Sequence, residues 1–238
     1  MKLAEPRLVS FPAEERRIRA TFAQRRKGGP YTWSTPAHVF IMQGVERRLL
    51  PFLAANGMAS LSGQCILEIG CGTGHWLREF VKWGAHPHDV VGMDLLADRI
   101  GEARALCAQG VHLFCGNAAV LPLPSASFDL VAQFTVFSSI LEPELKRHVA
   151  FEMLRVVKPN GLILWYDFFF DNPKNANVRG IAGREIQGLF PGCSVKLRRV
   201  TLAPPLTRWL ASRSWLACSL LEAIPPLRTH FLGAIRKG

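Results

Sequence analysis

The stretch that decides the fold is Ile66-Leu67-Glu68-Ile69-Gly70-Cys71-Gly72-Thr73-Gly74, a short apolar run with an acid, followed by three closely spaced glycines. The apolar run predicts a buried strand, and the glycines predict a tight turn before a helix. Because glycine has no side chain, the backbone of such a turn can approach a ligand closely. The stretch therefore predicts a strand, a ligand-binding loop and a helix, in that order.

The spacing of the glycines narrows the kind of ligand. A dinucleotide-binding loop, G-x-G-x-x-G, would place its third glycine at position 75, which is His75, whereas the glycine stands at position 74. A P-loop is excluded because no Gly-Lys-Ser/Thr follows. The loop therefore suits a cofactor with a charged amino acid portion better than it suits a pyrophosphate.

An acid at the end of the next predicted strand, Asp94, points to a nucleoside. It follows Gly74 by 20 residues, the spacing at which an acid after the second strand reaches a ribose diol. Hydrogen bonds from hydroxyls to a carboxylate contribute roughly 1.5 to 3 kcal/mol each. We therefore expect Asp94 to contribute strongly to the affinity for a nucleoside.

Short apolar runs alternate with helical patterns from residue 64 onward. This alternation is typical of a parallel sheet covered by helices on both faces. The predicted strands are 65–69, 90–94, 111–115, 128–133 and 162–166, and the predicted helices are 74–83, 97–109 and 143–157. The expected fold class is α/β, with a doubly wound, mostly parallel sheet.

The ends of the chain predict additions to this sheet. Residues 1–60 are expected to form a helical N-terminal lid, residues 61–203 the cofactor-binding catalytic domain, and residues 204–238 a basic amphipathic helical extension. A charged helix near 14–19 and a break at 27–30 are expected inside the lid. In the extension, one helix is expected to turn Leu206, Trp209, Leu210, Leu216, Ala217, Leu220 and Leu221 inward, and Arg208, Ser212, Trp215 and Ser219 outward.

The net charge of +11 is concentrated at the ends of the 238-residue chain. Residues 1–30 carry eight basic and three acidic residues, and residues 196–238 carry eight basic residues and one acid. This pattern predicts attraction to an anionic surface, substrate or polymer, although solvated surface arginines explain it equally well.

The chain has no apolar run long enough to span a bilayer and no signal-peptide pattern near Met1, so we expect a cytoplasmic protein. The basic extension suggests peripheral contact with the inner membrane surface.

Further motifs resemble those of class I S-adenosylmethionine-dependent methyltransferases, and in particular the small-molecule group that includes quinone-ring methylating enzymes. The similar segments are 66–74, 91–94, 116–124 with 127–131, and 154–162, so the resemblance covers roughly residues 60 to 170. It implies the fold described above and S-adenosylmethionine as the cofactor.

The six cysteines contain no CxxC pair, so neither a metal site nor a disulfide is expected.

The resemblance also implies roles for single residues. Glu68 and the loop backbone of Gly70, Cys71, Gly72 and Gly74 would hold the methionine part. Asp94 would hold the ribose, Leu95 would pack on the adenine, and Ala118 would offer its N–H to the ring. Asn117 stands where the family often has Asp, and its carbonyl oxygen can accept a hydrogen bond from the adenine amino group. Phe134, with Gln133, would border the methionine end.

The chemistry makes modest demands on the protein. A sulfonium methyl group is already an activated electrophile, and positioning of an acceptor can supply roughly 7 to 11 kcal/mol. A general base is needed only for a hydroxyl or an acidic carbon. Asp167 and Tyr166, just after the fifth predicted strand, are the candidate catalytic residues. The alternative interpretation of this segment is a buried aromatic strand end with a capping acid.

Three functions remain open from the sequence. The leading hypothesis is methyl transfer to a small-molecule, lipid-linked or glycan-linked acceptor, bound under a lid made from residues 1–60 and 171–238. A nucleic-acid methyltransferase is the second, but Gln133-Phe134-Thr135-Val136 stands where Asn-Pro-Pro-Tyr would be expected, and no nucleic-acid module is recognised. The third is a non-catalytic S-adenosylmethionine-binding protein.

Overall fold

A computed structural model describes residues 10–24, 32–172 and 175–238. The described helices are α1 Pro12–Ala23, α2 Pro36–Ala55, α3 His75–Lys82, α4 Ala97–Leu106, α5 Pro143–Val156, α6 Gly183–Leu189, α7 Pro204–Leu210 and α8 Trp215–Ala223. The described strands are β1 Ile66–Ile69, β2 Val90–Asp94, β3 His112–Cys115, β4 Phe128–Phe134, β5 Val157–Phe168, β6 Cys193–Leu202 and β7 Arg228–Lys237. Helix α1 contains the predicted charged helix, whereas the predicted break at 27–30 lies outside the described residues.

The strands form one seven-stranded sheet with the order β3-β2-β1-β4-β5-β7-β6. Strands β1 to β5 are parallel to their neighbours, and β7 is antiparallel to both β5 and β6. The predicted doubly wound α/β fold is confirmed. The strand order reverses between β1 and β4, and ligands bind at such a switch point, outside the carboxyl ends of the strands.

The central strands are buried on both faces, because alternate strand residues point to opposite sides and a hydrophobic core cluster packs on each side. Ile69, Val131 and Ile163 belong to one core cluster, which also contains residues of α5. Leu130 and Leu164 belong to the other, which contains residues of α2 and α3. The continuous apolar runs in the sequence reflect this double coverage.

The C-terminal segment differs from the sequence expectation. Residues 228–237 form strand β7 in the interior of the sheet, so only the part before them is helical. Gly233 permits this insertion, because a Cβ atom there would lie 2.7 Å from Leu197 Cδ2 and 3.1 Å from Trp165 Cβ. Pairing between strands that are distant in sequence leaves no local signal, so periodicity could not reveal it. The division of the chain into lid, catalytic domain and extension stays a prediction.

The expected single C-terminal helix is two helices, α7 and α8. The predicted inward face is also wrong, because Trp209, Leu216 and Leu220 are 63%, 71% and 63% exposed. The interruption between the helices changes the helical phase. Helix α8 instead turns Cys218 and Glu222 inward. None of the helices in the described segments is long and apolar enough to cross a bilayer.

Candidate active site

A cavity of about 1080 Å³ opens at the carboxyl ends of β1, β2, β4 and β5. The loops that follow these strands line it, together with residues of α1, α2 and α7. Sites for one drug-sized ligand measure about 300 to 1,000 Å³. This cavity is therefore large enough for a cofactor and an acceptor side by side.

The glycine loop reaches the cavity through its first two residues. Gly70 has a left-handed backbone (φ +68°), and a Cβ atom there would lie 2.4 Å from Val136 Cγ2. Gly70 and Cys71 line the cavity, as predicted, but Gly72 and Gly74 are not among its lining residues. Contact of these two glycines with a cofactor stays a prediction, and the structure shows that both also hold the loop in place. Gly72 donates its N–H to Asp94, and Gly74 packs so closely on α4 that a Cβ atom would lie 2.5 Å from Cys107 Sγ.

Asp94 joins the glycine loop to the loop after β2. Its Oδ2 accepts the Gly72 N–H at 2.9 Å, and its Oδ1 accepts the Leu96 N–H at 2.9 Å. The carboxylate lines the cavity, and burial raises the pKa of Asp94 above its usual range. Each carboxylate oxygen can accept a further hydrogen bond. The residue therefore has free capacity for the hydroxyls of a ribose.

Glu68 supplies a buried acceptor beside Asp94. The residue is 1% exposed and lines the cavity, and its Oε2 has no hydrogen-bond partner among the described residues. Burial, followed by the negative charge of Asp94, raises the pKa of Glu68 to about 8. An unpaired buried oxygen is costly unless a ligand satisfies it. A cationic amino group, such as that of a methionine moiety, fits this position.

The loops after β2 and β3 bring Leu95, Asn117 and Ala118 to the cavity, as predicted. Asn117 is engaged differently from the expectation. Its Oδ1 accepts the Ala119 N–H at 2.8 Å, and its Nδ2 donates to Glu15 Oε1 at 2.7 Å. The amide therefore presents a donor, and the acceptor beside it is the Glu15 carboxylate.

Helix α1 lies over the cavity and is held by loops after three different strands. Arg19 donates to the Leu95 carbonyl at 2.7 Å, and Arg17 donates to the Ser139 carbonyl at 2.6 Å. Glu14 Oε1 accepts the Leu141 N–H at 2.6 Å. Glu15 was not predicted as a site residue. The sequence pattern predicted a charged helix here, but it did not show which loops that helix contacts.

The opposite end of the cavity is aromatic. Phe134 lines it and stacks on Trp76 with ring centroids 4.4 Å apart. Tyr166 lines it too, shares a hydrogen bond of 2.9 Å with Thr201 Oγ1, and stacks on His230 at 5.0 Å. Burial raises the pKa of Tyr166 and lowers the pKa of His230 to about 3. His230 is therefore neutral and a weak base. It was not predicted as a site residue because strand β7, which carries it, was not predicted from the sequence.

Thr135, directly after β4, borders the cavity with a left-handed backbone (φ +57°). Its N–H donates to the Tyr166 carbonyl at 2.8 Å. A β-branched residue in this conformation is strained and persists only where its surroundings hold it, a feature common at functional sites. The strain supports a binding role for this end of β4.

Asp167 does not belong to the lining of the cavity. Its Oδ2 accepts the Ser138 N–H at 3.1 Å, and its Oδ1 accepts the Phe168 N–H at 2.9 Å. Burial raises the pKa of Asp167 to about 7. The geometry favours the alternative interpretation, a buried acid that caps the strand end, and a role of Asp167 in proton transfer stays a prediction. Tyr166 stays a candidate.

Comparison with known proteins places this geometry in a wider context. Residues 66–161 match the sequence profile of a methyltransferase domain. This segment contains β1 to β4, the start of β5 and the cofactor side of the cavity.

Three curated relatives each match about half of the chain. A tRNA N(3)-cytidine methyltransferase of Gallus gallus is 30% identical over 43% of this chain and 30% of its own length. A demethylmenaquinone methyltransferase of Lysinibacillus sphaericus is 30% identical over 45% of each chain. A phthiotriol/phenolphthiotriol dimycocerosates methyltransferase of Mycobacterium leprae is 32% identical over 53% of this chain and 49% of its own. The chain thus spans less than half the length of each of these relatives.

A solved structure matches over most of the chain. Magnesium protoporphyrin IX methyltransferase from Synechocystis PCC 6803, solved with bound S-adenosylmethionine, aligns with a TM-score of 0.58 at 17% identity. The alignment covers 93% of this chain and 90% of that one. At this identity the likeness concerns the fold.

Proposed function

We propose that this chain is an S-adenosylmethionine-dependent methyltransferase that acts on a small-molecule or lipid-linked acceptor. Its residues 66–161 match a methyltransferase domain. The observation that carries the proposal is the junction of Asp94 with the glycine loop beside the unpaired oxygen of Glu68. This junction offers acceptors for a ribose and for a cationic amino group in one cavity.

The described residues fit the cofactor well. Glu68 would bind the amino group, Asp94 the ribose hydroxyls, and Leu95 with Ala118 would pack against the adenine. When bound, S-adenosylmethionine supplies an electrophilic methyl group on a sulfonium. The task left to the protein is to place a nucleophile in line with that methyl group and to exclude water.

The aromatic end of the cavity would place the acceptor. Phe134 and Phe168 offer apolar walls, while Tyr166 and His230 offer hydrogen-bonding groups. An imidazole with a pKa of about 3 accepts a proton poorly at neutral pH. His230 would therefore orient the acceptor through a hydrogen bond, and positioning would contribute more to the rate than proton abstraction.

An amphiphilic acceptor agrees with this aromatic surface and with relatives that methylate demethylmenaquinone and phthiotriol dimycocerosates. A nucleic-acid acceptor is the second candidate, because one relative is a tRNA methyltransferase. A glycan-linked acceptor stays within the first class, since its lipid anchor would make the same apolar contacts.

We expect the purified protein to transfer labelled methyl groups from S-adenosylmethionine into a lipid extract and not into total tRNA. The measurement is label in the organic phase compared with acid-precipitable RNA, with the Asp94→Ala variant as background. Label confined to tRNA would refute a small-molecule or lipid-linked acceptor and would support a nucleic-acid acceptor. Cofactor binding without transfer to any fraction would support a non-catalytic binding protein.

Helices α7 and α8 support contact with a membrane surface. They and the residue after α8 expose five large apolar side chains, here called the apolar patch: Trp209, Trp215, Leu216, Leu220 and Ile224, which are 42% to 71% exposed. Leu216 and Leu220 are one helical turn apart and therefore share a face of α8. Apolar exposure of this extent marks an interaction surface.

The charges around the apolar patch favour an anionic bilayer over a protein partner. Arg208 and Arg213 are exposed beside it, and each basic residue near an anionic surface contributes about 1 kcal/mol. Glu222 is the single acid of residues 204–227, and it is buried in an ion pair with Arg48 at 2.8 Å. Pro204, Pro205 and Arg208 also line the cavity. An acceptor dissolved in the bilayer would thus enter the cavity beside the apolar patch.

The double variant Leu216→Ser/Leu220→Ser is expected to lose most binding to vesicles of phosphatidylcholine with phosphatidylglycerol, because it removes apolar area that would enter the interface. Vesicle flotation measures the effect. Both side chains are exposed, so the fold should remain intact. The control is Leu106→Ser, which changes a leucine of α4 that is 54% exposed and lies outside the apolar patch. Equal flotation of the double variant and the wild type would refute membrane contact through the apolar patch.

A further inference from the structure

We propose that Glu15, on helix α1, recognises the exocyclic amino group of the cofactor's adenine. This inference rests on the proposed function, since it assumes an adenosyl cofactor with its ribose at Asp94. It gives helix α1 a part in binding specificity in addition to covering the cavity.

The hydrogen bonds of Asn117 lead to this assignment. Its Oδ1 already accepts the Ala119 N–H, which leaves one lone pair, and its Nδ2 donates to Glu15 Oε1 at 2.7 Å. An amide NH₂ is a donor and cannot pair with the amino group of adenine, which is a donor as well. A carboxylate is an acceptor with two oxygens and can serve both donors at once. Glu15, with its two acceptor oxygens and its negative charge, is therefore the stronger acceptor at this edge of the cavity.

The position of Glu15 on α1 agrees with base recognition. Glu15, Ile18 and Phe22 follow one another at intervals of three and four residues, which places them on one helical face. All three line the cavity, as do Leu95 and Ala118 on the loops that α1 covers. The apolar side chains would enclose the ring of the base, and the acid would meet its polar edge.

Binding and closure are coupled by this arrangement. Helix α1 is held by Glu14, Arg17 and Arg19, and these contacts bring Glu15 to Asn117. A bound adenine would add a hydrogen bond that exists only while α1 lies over the cavity. The cofactor would therefore stabilise the covered state, by the differential interaction that any ligand-induced shift requires.

The test compares two ligands that differ at the amino group. S-adenosylhomocysteine and its inosine analogue, which carries a 6-oxo group, are titrated by calorimetry into wild type, Glu15→Gln and Glu14→Gln. Wild type is expected to prefer the adenine ligand by about tenfold or more, because a carboxylate repels an oxo group and accepts from an amine. Glu15→Gln is expected to lower this ratio severalfold, since the glutamine amide can donate to the oxo group.

Glu14→Gln is the matched control, because Glu14 holds α1 but does not line the cavity. It should change both affinities by the same factor. If Glu15→Gln also scales both affinities equally, or changes neither, Glu15 only docks the helix and the inference is wrong. If wild type binds neither ligand, the proposed function itself fails.

Discussion

Replacing Asp94 with alanine is expected to weaken S-adenosylmethionine binding roughly 100-fold or more. Two hydrogen bonds from ribose hydroxyls to a carboxylate contribute roughly 1.5 to 3 kcal/mol each, and about 1.4 kcal/mol corresponds to a factor of ten. The substitution also leaves the N–H groups of Gly72 and Leu96 without their acceptor. The glycine loop would then lose the contact that holds it beside β2.

Isothermal titration with S-adenosylmethionine measures the effect, and thermal denaturation without ligand shows how much of it comes from a loosened loop. Asp94→Asn keeps one acceptor oxygen but loses the negative charge, so we expect it to lose less affinity than Asp94→Ala. Asp98→Ala, an exposed acid of α4, is the control. Wild-type affinity in Asp94→Ala would contradict the central assignment of the site.

The second large effect concerns Glu68. Its pKa is raised to about 8 by burial, so at neutral pH the carboxyl of the ligand-free protein is mostly protonated. A bond to a cationic amino group requires the ionised form, and binding must then release a proton. We expect the affinity of the wild type to rise by up to about tenfold per pH unit between pH 6 and 8. Above that range the ligand's own amino group, with a pKa of roughly 8, begins to lose its charge.

Glu68→Gln is expected to bind the cofactor about tenfold or more weakly at pH 8 and to lose this pH dependence, because an amide cannot ionise. The decisive measurement is calorimetry in buffers of different ionisation enthalpy. It should detect proton release on binding at pH 7 in the wild type and none from this residue in the variant. The same proton release in both proteins would remove Glu68 from the site.

Glu68 also predicts a stability effect of definite sign. The folded-state pKa lies above the unfolded value of 4.5, so the folded protein holds the proton more tightly. The ligand-free wild type should therefore lose stability as the pH rises from about 4.5 to about 8. Glu68→Gln should lack this loss, so the difference in Tm between the variant and the wild type should grow over that interval. Burial of Glu68 thus lowers the stability of the ligand-free protein while it provides a group for cofactor binding.

The sequence predicted those features whose residues lie close together along the chain. The strand at 66–69, the glycine turn and Asp94 are close in sequence or share a fixed spacing within one strand–helix–strand unit, and their placement at one edge follows from the parallel connection. Asp94 and Glu68 both line the cavity, as the motif implied. The burial of the strands could likewise be predicted, because continuous apolar runs have no other stable location.

Contacts between distant segments could not be predicted in the same way. The sequence alone determined the doubly wound core and the cofactor class, since these depend on periodicity and on short motifs, while the anchoring residues stay predictions. Only the tertiary structure decided that Glu15 meets Asn117, that β7 brings His230 beside Tyr166, that Asp167 turns away from the cavity, and that the apolar patch faces outward. The physical reason is that helical phase, antiparallel insertion and the docking of α1 are set by packing between distant segments, such as Glu14 and Leu141, which are 127 residues apart. Residue patterns within one segment carry no record of such packing.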